Sequence, residues 1–292
     1  MAKRKSESGT AKQSKAVKFY SLYDKVWRID VLWEAWQPVK ENLGAPGVDG
    51  ETIEGIVSRE EEEEMISRLQ EQLRAKTYRF QPVRRVDIPK PKGGTRPLGI
   101  ATVQDRVVQT AMKLVLEPIF EADFHPCSYG YRPQRDAKMA STAIRNDLYR
   151  GAWGVVEIDF RSYFTTIPHD KLIILIKQRV VDGSMLRLVK QSLTVGIAYK
   201  GKVEPTTVGV PQGSPITPLY SNIYLNLLDP VWHRRDYPEK LGESRKDPDH
   251  EVDRRIRLHR VPVREAAFAQ KRQVEHLHLS QQGRAAQHPT TD

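Results

Sequence analysis

Residues 157–164 read Glu157-Ile158-Asp159-Phe160-Arg161-Ser162-Tyr163-Phe164, an apolar strand running into a turn and an aromatic pair. Over residues 154–160, Val156, Ile158 and Phe160 fall on one face of the strand, Glu157 and Asp159 on the other. A carboxylate at a strand end can hold a divalent cation through its oxygens, and aromatics beside it can police a sugar or a base. A strand-terminal aspartate more commonly just caps its turn, so Asp159 takes its meaning from what flanks it.

Downstream, Pro168 suits a first helical turn, with Leu172, Ile173, Leu175 and Ile176 following it. Residues 209–215 (GVPQGSP) make a rigid loop leading into a helix opened by Thr217-Pro218, with Leu219, Ile223 and Leu227 on one stripe. Such a loop can set backbone N–H groups and the Gln212 amide where a template or nucleotide passes. Upstream, residues 78–88 (YRFQPVRRVDI) alternate and are rich in β-formers, predicting a strand. Residues 89–96 then form a turn and 97–100 a second strand. Lys90 and Arg96 face each other across that Gly-Gly tip, two cations that suit a triphosphate. Thr102 with Asp105 predicts an N-cap and its N3 acid, opening a helix that buries Val107, Val108, Ala111, Met112, Val115 and Leu116. Apolar periodicity begins near Val17 and runs through Tyr20, Leu22, Trp27, Leu32, Trp33 and Trp36, predicting short helices. The acidic run at 60–64 is predicted to be a solvated helix face, with Met65, Ile66, Leu69 and Leu73 behind it.

Composition narrows the partners. The 292 residues carry 47 Lys and Arg against 37 Asp and Glu, a formal charge of +10 that points to a polyanion, nucleic acid before membrane. A single cysteine, Cys127, excludes a disulfide framework and a multi-cysteine zinc site. The first residues, MAKRKSESGT, lack an apolar signal core, and the most apolar stretch, 172–176, lies between Lys171 and Lys177. An intracellular, cytoplasmic protein without a membrane segment is the expectation. Residues 196–203 (GIAYKGKV) come near the phosphate-loop pattern, but Val203 stands where a hydroxyl must meet magnesium, and the flanks predict a hairpin. His125 and Cys127 have no third ligand near them in sequence and are read as structural.

Taken in order, these motifs resemble the reverse transcriptase/maturases encoded by group II introns. Residues 42–50 (NLGAPGVDG) with Thr52-Ile53-Glu54 resemble the family's opening block. The fingers blocks are resembled by 84–100 (RRVDIPKPKGGTRPLGI), 104–109 (QDRVVQ) and 116–120 (LEPIF). Residues 128–133 (SYGYRP) resemble the next block, 157–164 the first catalytic palm block, and 209–225 (GVPQGSPITPLYSNIYL) the one after it. The resemblance covers roughly residues 18–242.

It implies an α+β fold: fingers and partial palm of a right-hand polymerase, with an incomplete antiparallel palm sheet. It also implies RNA-directed DNA polymerase chemistry by two-magnesium nucleotidyl transfer, on RNA template, DNA primer and dNTP. Asp159 would be a catalytic, metal-binding carboxylate with the Phe160 carbonyl as auxiliary ligand. Tyr163 would gate the incoming sugar, Lys90 and Arg96 would clamp the triphosphate, and Gln212 would line the nucleotide pocket.

The departures concern the other end of the chain. The family's Tyr-Ala-Asp-Asp hairpin supplies two further carboxylates, and these 292 residues contain no Asp-Asp pair. The expected division is a disordered basic arm at 1–16, fingers at 17–150, partial palm at 151–242 and an atypical, disordered tail at 243–292. The tail shows no strand pattern, so the 154–160 strand is expected to keep an unpaired edge. A plus-one reading across 249–252 and 257–261 can give Ile-Met-Arg and Asp-Phe-Ile-Val, similar to the family's flanks of the missing dyad, so a frameshift or truncation is the expected origin. The expected consequence is a catalytically incomplete chain; the alternatives are a non-catalytic intron-RNA-binding remnant and a pseudogene product.

Overall fold

The structure, a computed structural model, describes residues 17–91, 93–151, 155–157, 159, 160, 162–229 and 257–259. The chain divides into two compact units, residues 1–133 with 162–237 and residues 134–161 with 238–292. In chain order the elements are α1 (Tyr23–Val26), α2 (Ile29–Glu41), α3 (Ile53–Ser58), α4 (Glu62–Arg74), β1 (Val83–Pro89), β2 (Thr95–Ile100) and α5 (Val103–Glu121). They continue with α6 (Ala137–Tyr149), β3 (Val155–Glu157), α7 (Tyr163–Thr166), α8 (His169–Lys177), α9 (Gly183–Leu193), β4 (Ile197–Tyr199), β5 (Lys202–Glu204), α10 (Thr217–Leu225) and β6 (Arg257–His259).

The first unit is built around α5. Beyond the predicted apolar stripe, Asp105, Arg106, Gln109 and Thr110 are also buried, so the helix is covered nearly all round. Against it lies α2, whose Leu32, Ala35 and Trp36 are fully buried. The Trp36 indole donates to the Glu62 carboxylate, which also pairs with Lys40 Nζ at 2.8 Å. Those two bonds, Lys40 first, hold the Glu62 carboxyl below its usual range against the opposing effect of burial. One member of the acidic run thus turns inward, a correction to the solvated face. Tyr20 is likewise 74% exposed and joins no core.

Thr102 caps α5 as predicted, its hydroxyl accepting from the Asp105 N–H at 3.1 Å. The Asp105 carboxylate turns the other way, accepting from the Tyr78 hydroxyl and, at 3.0 Å, from the Gln81 N–H. The predicted 78–88 strand starts late: the Tyr78 N–H goes to the Gln72 carbonyl, the Gln81 N–H to Asp105, Pro82 has no N–H to give, and β1 begins at Val83. Burial pushes the Asp105 carboxyl up to about 6, in spite of the bonds it accepts. Its contribution to folding is therefore full below the unfolded value near ~4 and lost as pH rises through about 6, roughly 3 kcal/mol in all. Urea titrations of wild type and Asp105→Asn from pH 4 to 8 should show the stability advantage of the wild type shrinking between pH 4 and 6 and constant above. A difference independent of pH contradicts this.

The N-terminal segment is fastened by one residue. Asp182 Oδ2 accepts from the N–H groups of Leu22 and Tyr23, both at 2.8 Å, while Oδ1 accepts from Ser184 at 2.9 Å and Met185 at 3.1 Å. It caps α9 and receives the start of α1 at once. Beside it Phe19 bridges to Val180, with the Phe19 N–H on the Arg179 carbonyl at 2.8 Å and the Val181 N–H on the Phe19 carbonyl at 2.9 Å.

The sheet of this unit has the order β2-β1-β4-β5. β1 and β2 are antiparallel from Arg84↔Ile100 to Pro89↔Thr95, as the Gly-Gly turn predicts. β4 joins β1 in parallel through Val83↔Ile197, and β5 returns antiparallel with Tyr199↔Lys202. The sheet is therefore mixed. Lys200 and Gly201, with φ of 49° and 78°, form the tight turn, so the near-match to a phosphate loop is a hairpin. α8 and α10 form where predicted, but α10 stops at Leu225 and leaves Leu227 half exposed, off the buried stripe of Leu219 and Ile223.

In the second unit α6 is capped by Asp136, which accepts from the Met139 N–H at 2.7 Å. β3 pairs antiparallel with β6, Val155↔His259 to Glu157↔Arg257. This corrects the expectation at three residues: the predicted strand has a partner from within 243–292, and that segment contains a strand. Three residues are too few for an alternating pattern to show, and backbone pairing needs none. The rest of that segment, and residues 1–16, lie outside the described residues. Among the described residues no helix is long and apolar enough to cross a membrane.

Candidate nucleotide site

The tip between β1 and β2 is closed by backbone bonds. The Lys90 N–H donates to the Gly94 carbonyl at 2.9 Å and the Gly93 N–H to the Lys90 carbonyl at 3.0 Å. Gly93 and Gly94 hold φ of 88° and 77°, a region costly for any residue with a Cβ. Lys90 sits in this turn and Arg96 on β2 opposite Ile88, both exposed and neither in an ion pair among the described residues. They are two available cations at one end of a hairpin.

The loop carrying Gln212 runs along the outer edge of β2. The Gly99 N–H donates to the Gln212 carbonyl at 2.7 Å, closing the strand's free edge. A Cβ on Gly213, at φ 107°, would lie 2.8 Å from the Gly99 carbonyl oxygen, and one on Gly209, at φ 83°, 2.7 Å from that of Thr165. Only glycine allows both approaches. At its far end Thr217 Oγ1 donates to the Pro211 carbonyl at 2.8 Å, locking the loop to α10. The Val210 N–H donates to the Phe164 carbonyl at 2.7 Å, joining the loop to α7.

Tyr163 begins α7. Its hydroxyl donates to the Ser221 carbonyl at 2.8 Å, and its ring lies edge-on to Phe164 with centroids 5.5 Å apart. Burial pushes that hydroxyl up to about 12, so it stays protonated and turned toward α10. Any contact with a sugar would be made by the ring. Lys90, Arg96, Tyr163 and Gln212 all belong to the first unit, bound together through β2, the Gln212 loop and α7. Asp159 and Phe160 belong to the second unit, and both are exposed.

Two other motifs resolve as structure. All the donor nitrogens of Arg132, in the SYGYRP block, are engaged: with the Glu121 carboxylate at 2.7 to 3.1 Å and with the carbonyls of His125 and Ser128, each at 2.7 Å. His125 Nδ1 lies 2.8 Å from Cys127 Sγ at the surface, and among the described residues no group of three His, Cys, Asp or Glu side chains includes them. Sequence reasoning missed Thr165, Gly99 and Ser221. They act through backbone carbonyls or N–H groups, and no side-chain pattern announces a main-chain contact.

Residues 88–238 match the family described as reverse transcriptase (RNA-dependent DNA polymerase), just over half of the 292 residues. This chain belongs to that family. The chain is 40% identical to "Protein YkfC" of Escherichia coli K12 over 74% of this chain and 57% of that protein. It is 34% identical to "Group II intron-encoded protein LtrA" of Lactococcus lactis subsp. cremoris over 81% of this chain and 40% of that protein. The chain thus spans between two fifths and three fifths of these relatives' lengths. A solved chain of a "Partial Cas6-RT-Cas1--Cas2 complex" overlays with a TM-score of 0.49 at 23% identity, covering 73% of this chain and 35% of that one. The kinship with group II intron reverse transcriptase/maturases implied by the motifs is borne out by the family match and the intron-encoded relative of Lactococcus lactis.

Reverse transcriptases in general use Mg2+. Holding two ions takes several carboxylates converging on one point. Among the described residues of this reverse transcriptase domain no group of three His, Cys, Asp or Glu side chains converges, and Asp159 stands exposed. The donor set described does not fit a magnesium pair.

Proposed function

We propose that this reverse transcriptase domain grips nucleic acid and nucleotide as part of a group II intron reverse transcriptase/maturase, and that the chain alone does not transfer nucleotides. The observation that carries this is the single candidate ligand: Asp159 with no converging carboxylates among the described residues and no Asp-Asp pair in the sequence. In this reading Lys90 and Arg96 attract the triphosphate of a dNTP, the Tyr163 ring lies beneath its sugar, and Gln212 lies along the pocket. Asp159 and the Phe160 carbonyl are ligands of a metal site that this chain leaves incomplete. Template RNA, intron RNA and a DNA primer are the partners, held by a chain of net charge +10.

Purified protein given an RNA template, a DNA primer, dNTPs and Mg2+ should show no primer extension above a no-protein control. The same preparation should still retain template RNA on a filter. Extension that disappears in Asp159→Ala overturns the proposal.

A further inference from the structure

The loop that carries Gln212 is clasped at its start by a side chain with no part in the reading above. His169, half-buried at the first turn of α8, has its Nε2 2.6 Å from the Gly209 carbonyl oxygen. A carbonyl can only accept, so Nε2 carries the proton and donates, whichever charge state the ring is in. The ring does nothing for its own helix. α8 opens at Pro168 without a side-chain cap and is held by Leu172 and Ile176, both fully buried.

The bond completes the grip on one peptide unit. The carbonyl of residue 209 and the N–H of residue 210 share a plane. His169 takes the first and the Phe164 carbonyl takes the second, at 2.7 Å. Gly209 itself, at φ 83°, has no Cβ to limit how that plane turns. Its N–H goes to the Ile167 carbonyl at 2.8 Å, and Val208 bridges to Pro168. Main-chain bonds thus tie the loop to the segment after α7, and the His169 bond sets its tilt. Beyond it Val210 is buried and Pro211 has a fixed φ, so the tilt carries on to Gln212.

The same clasp spans two sides of the proposed nucleotide pocket. Tyr163 opens α7 just before His169, and Gln212 lies just past Gly209. A ring beneath a sugar tells deoxyribose from ribose by the room it leaves for a 2′-hydroxyl. That room depends on how the far wall is set. We propose that His169 is a positioning residue, whose bond to the Gly209 carbonyl fixes the spacing between the Tyr163 ring and the Gln212 loop and with it the preference for deoxyribose. The inference rests on the nucleotide reading above and adds to it the residue that sets the sugar preference.

The test uses the full chain on an RNA template with a dideoxy-terminated DNA primer and cytosine as the first unpaired template base. Binding of dGTP and of GTP is measured by equilibrium dialysis with Mg2+. His169→Leu should weaken dGTP roughly five-fold and GTP less, so that the preference narrows. His169→Gln, whose longer amide brings a donor to the place of Nε2, should restore affinity and preference. His169→Asn, one carbon shorter, should not. Circular dichroism checks that each variant is folded; where His169→Leu is not, the Gln and Asn pair decides alone. Equal weakening of both nucleotides, or Gln no better than Asn, makes the histidine merely structural and overturns the proposal. His169→Leu indistinguishable from a wild type that binds dGTP also overturns it, and the nucleotide reading stands. A wild type that binds neither nucleotide overturns both.

Discussion

Asp182→Ala is expected to destabilise the protein by about 4 kcal/mol, because four backbone N–H groups lose their only side-chain acceptor at once. Domains of this size are commonly stable by only ~5–15 kcal/mol, so the loss approaches the whole margin. Loss of the Asp182 clasp also frees the segment through which Leu22 and Val26 reach the core. Chemical denaturation of wild type, Asp182→Ala and Asp182→Asn should rank them in the order wild type, Asn, Ala, since asparagine keeps one acceptor oxygen. Acid gives an independent reading. Burial works to raise the Asp182 carboxyl, but the four N–H bonds outweigh it and hold the group below its usual range. Its stabilisation is present above the unfolded value and lost as pH falls through the folded one, the opposite sense to Asp105. Equal midpoints for the three proteins contradict the clasp.

The second large effect is on RNA. If the chain, of net charge +10, holds RNA as proposed, chiefly through phosphates, binding should release counterions. With some 6–10 phosphates contacted, affinity should fall roughly 10³–10⁵-fold between 50 and 200 mM salt. Filter binding of a structured RNA across that range measures the slope. A flat response contradicts phosphate-led binding. Retention of the slope after deletion of residues 1–16 assigns it to the folded fingers, and its loss assigns it to the basic arm.

Much of this arrangement was legible in the sequence where a local rule acts alone. The Gly-Gly turn, the Thr102 cap and the hairpin at 196–203 depend on φ values or a single neighbouring group, and each formed as expected. Legibility failed where a distant partner intervened. Residues 78–81 have strand-like composition, yet Asp105, more than twenty positions away, takes the Tyr78 hydroxyl and the Gln81 N–H, and the Gln72 carbonyl takes the Tyr78 N–H. Glu62 looks like any member of an acidic run until Trp36 and Lys40 are beside it. Lys90, Arg96, Tyr163 and Gln212 were singled out by residue type and by resemblance to the family's motifs, and their roles are proposals. Gly99 gave no signal, since it acts through its main-chain N–H.

The bond from the Gly99 N–H to the Gln212 carbonyl separates where the loop is held from what it presents. Position 212 is anchored by its main chain, which every amino acid shares, while in the proposed reading its side chain lies along the nucleotide pocket. Changes of residue there alter what is read without shifting the reader. Changes at Gly209 or Gly213 do the reverse, displacing the whole reading head while leaving its chemistry untouched. Variation among related chains should therefore be tolerated at 212 as a retuning of preference, and purged at 209 and 213 as a loss of alignment.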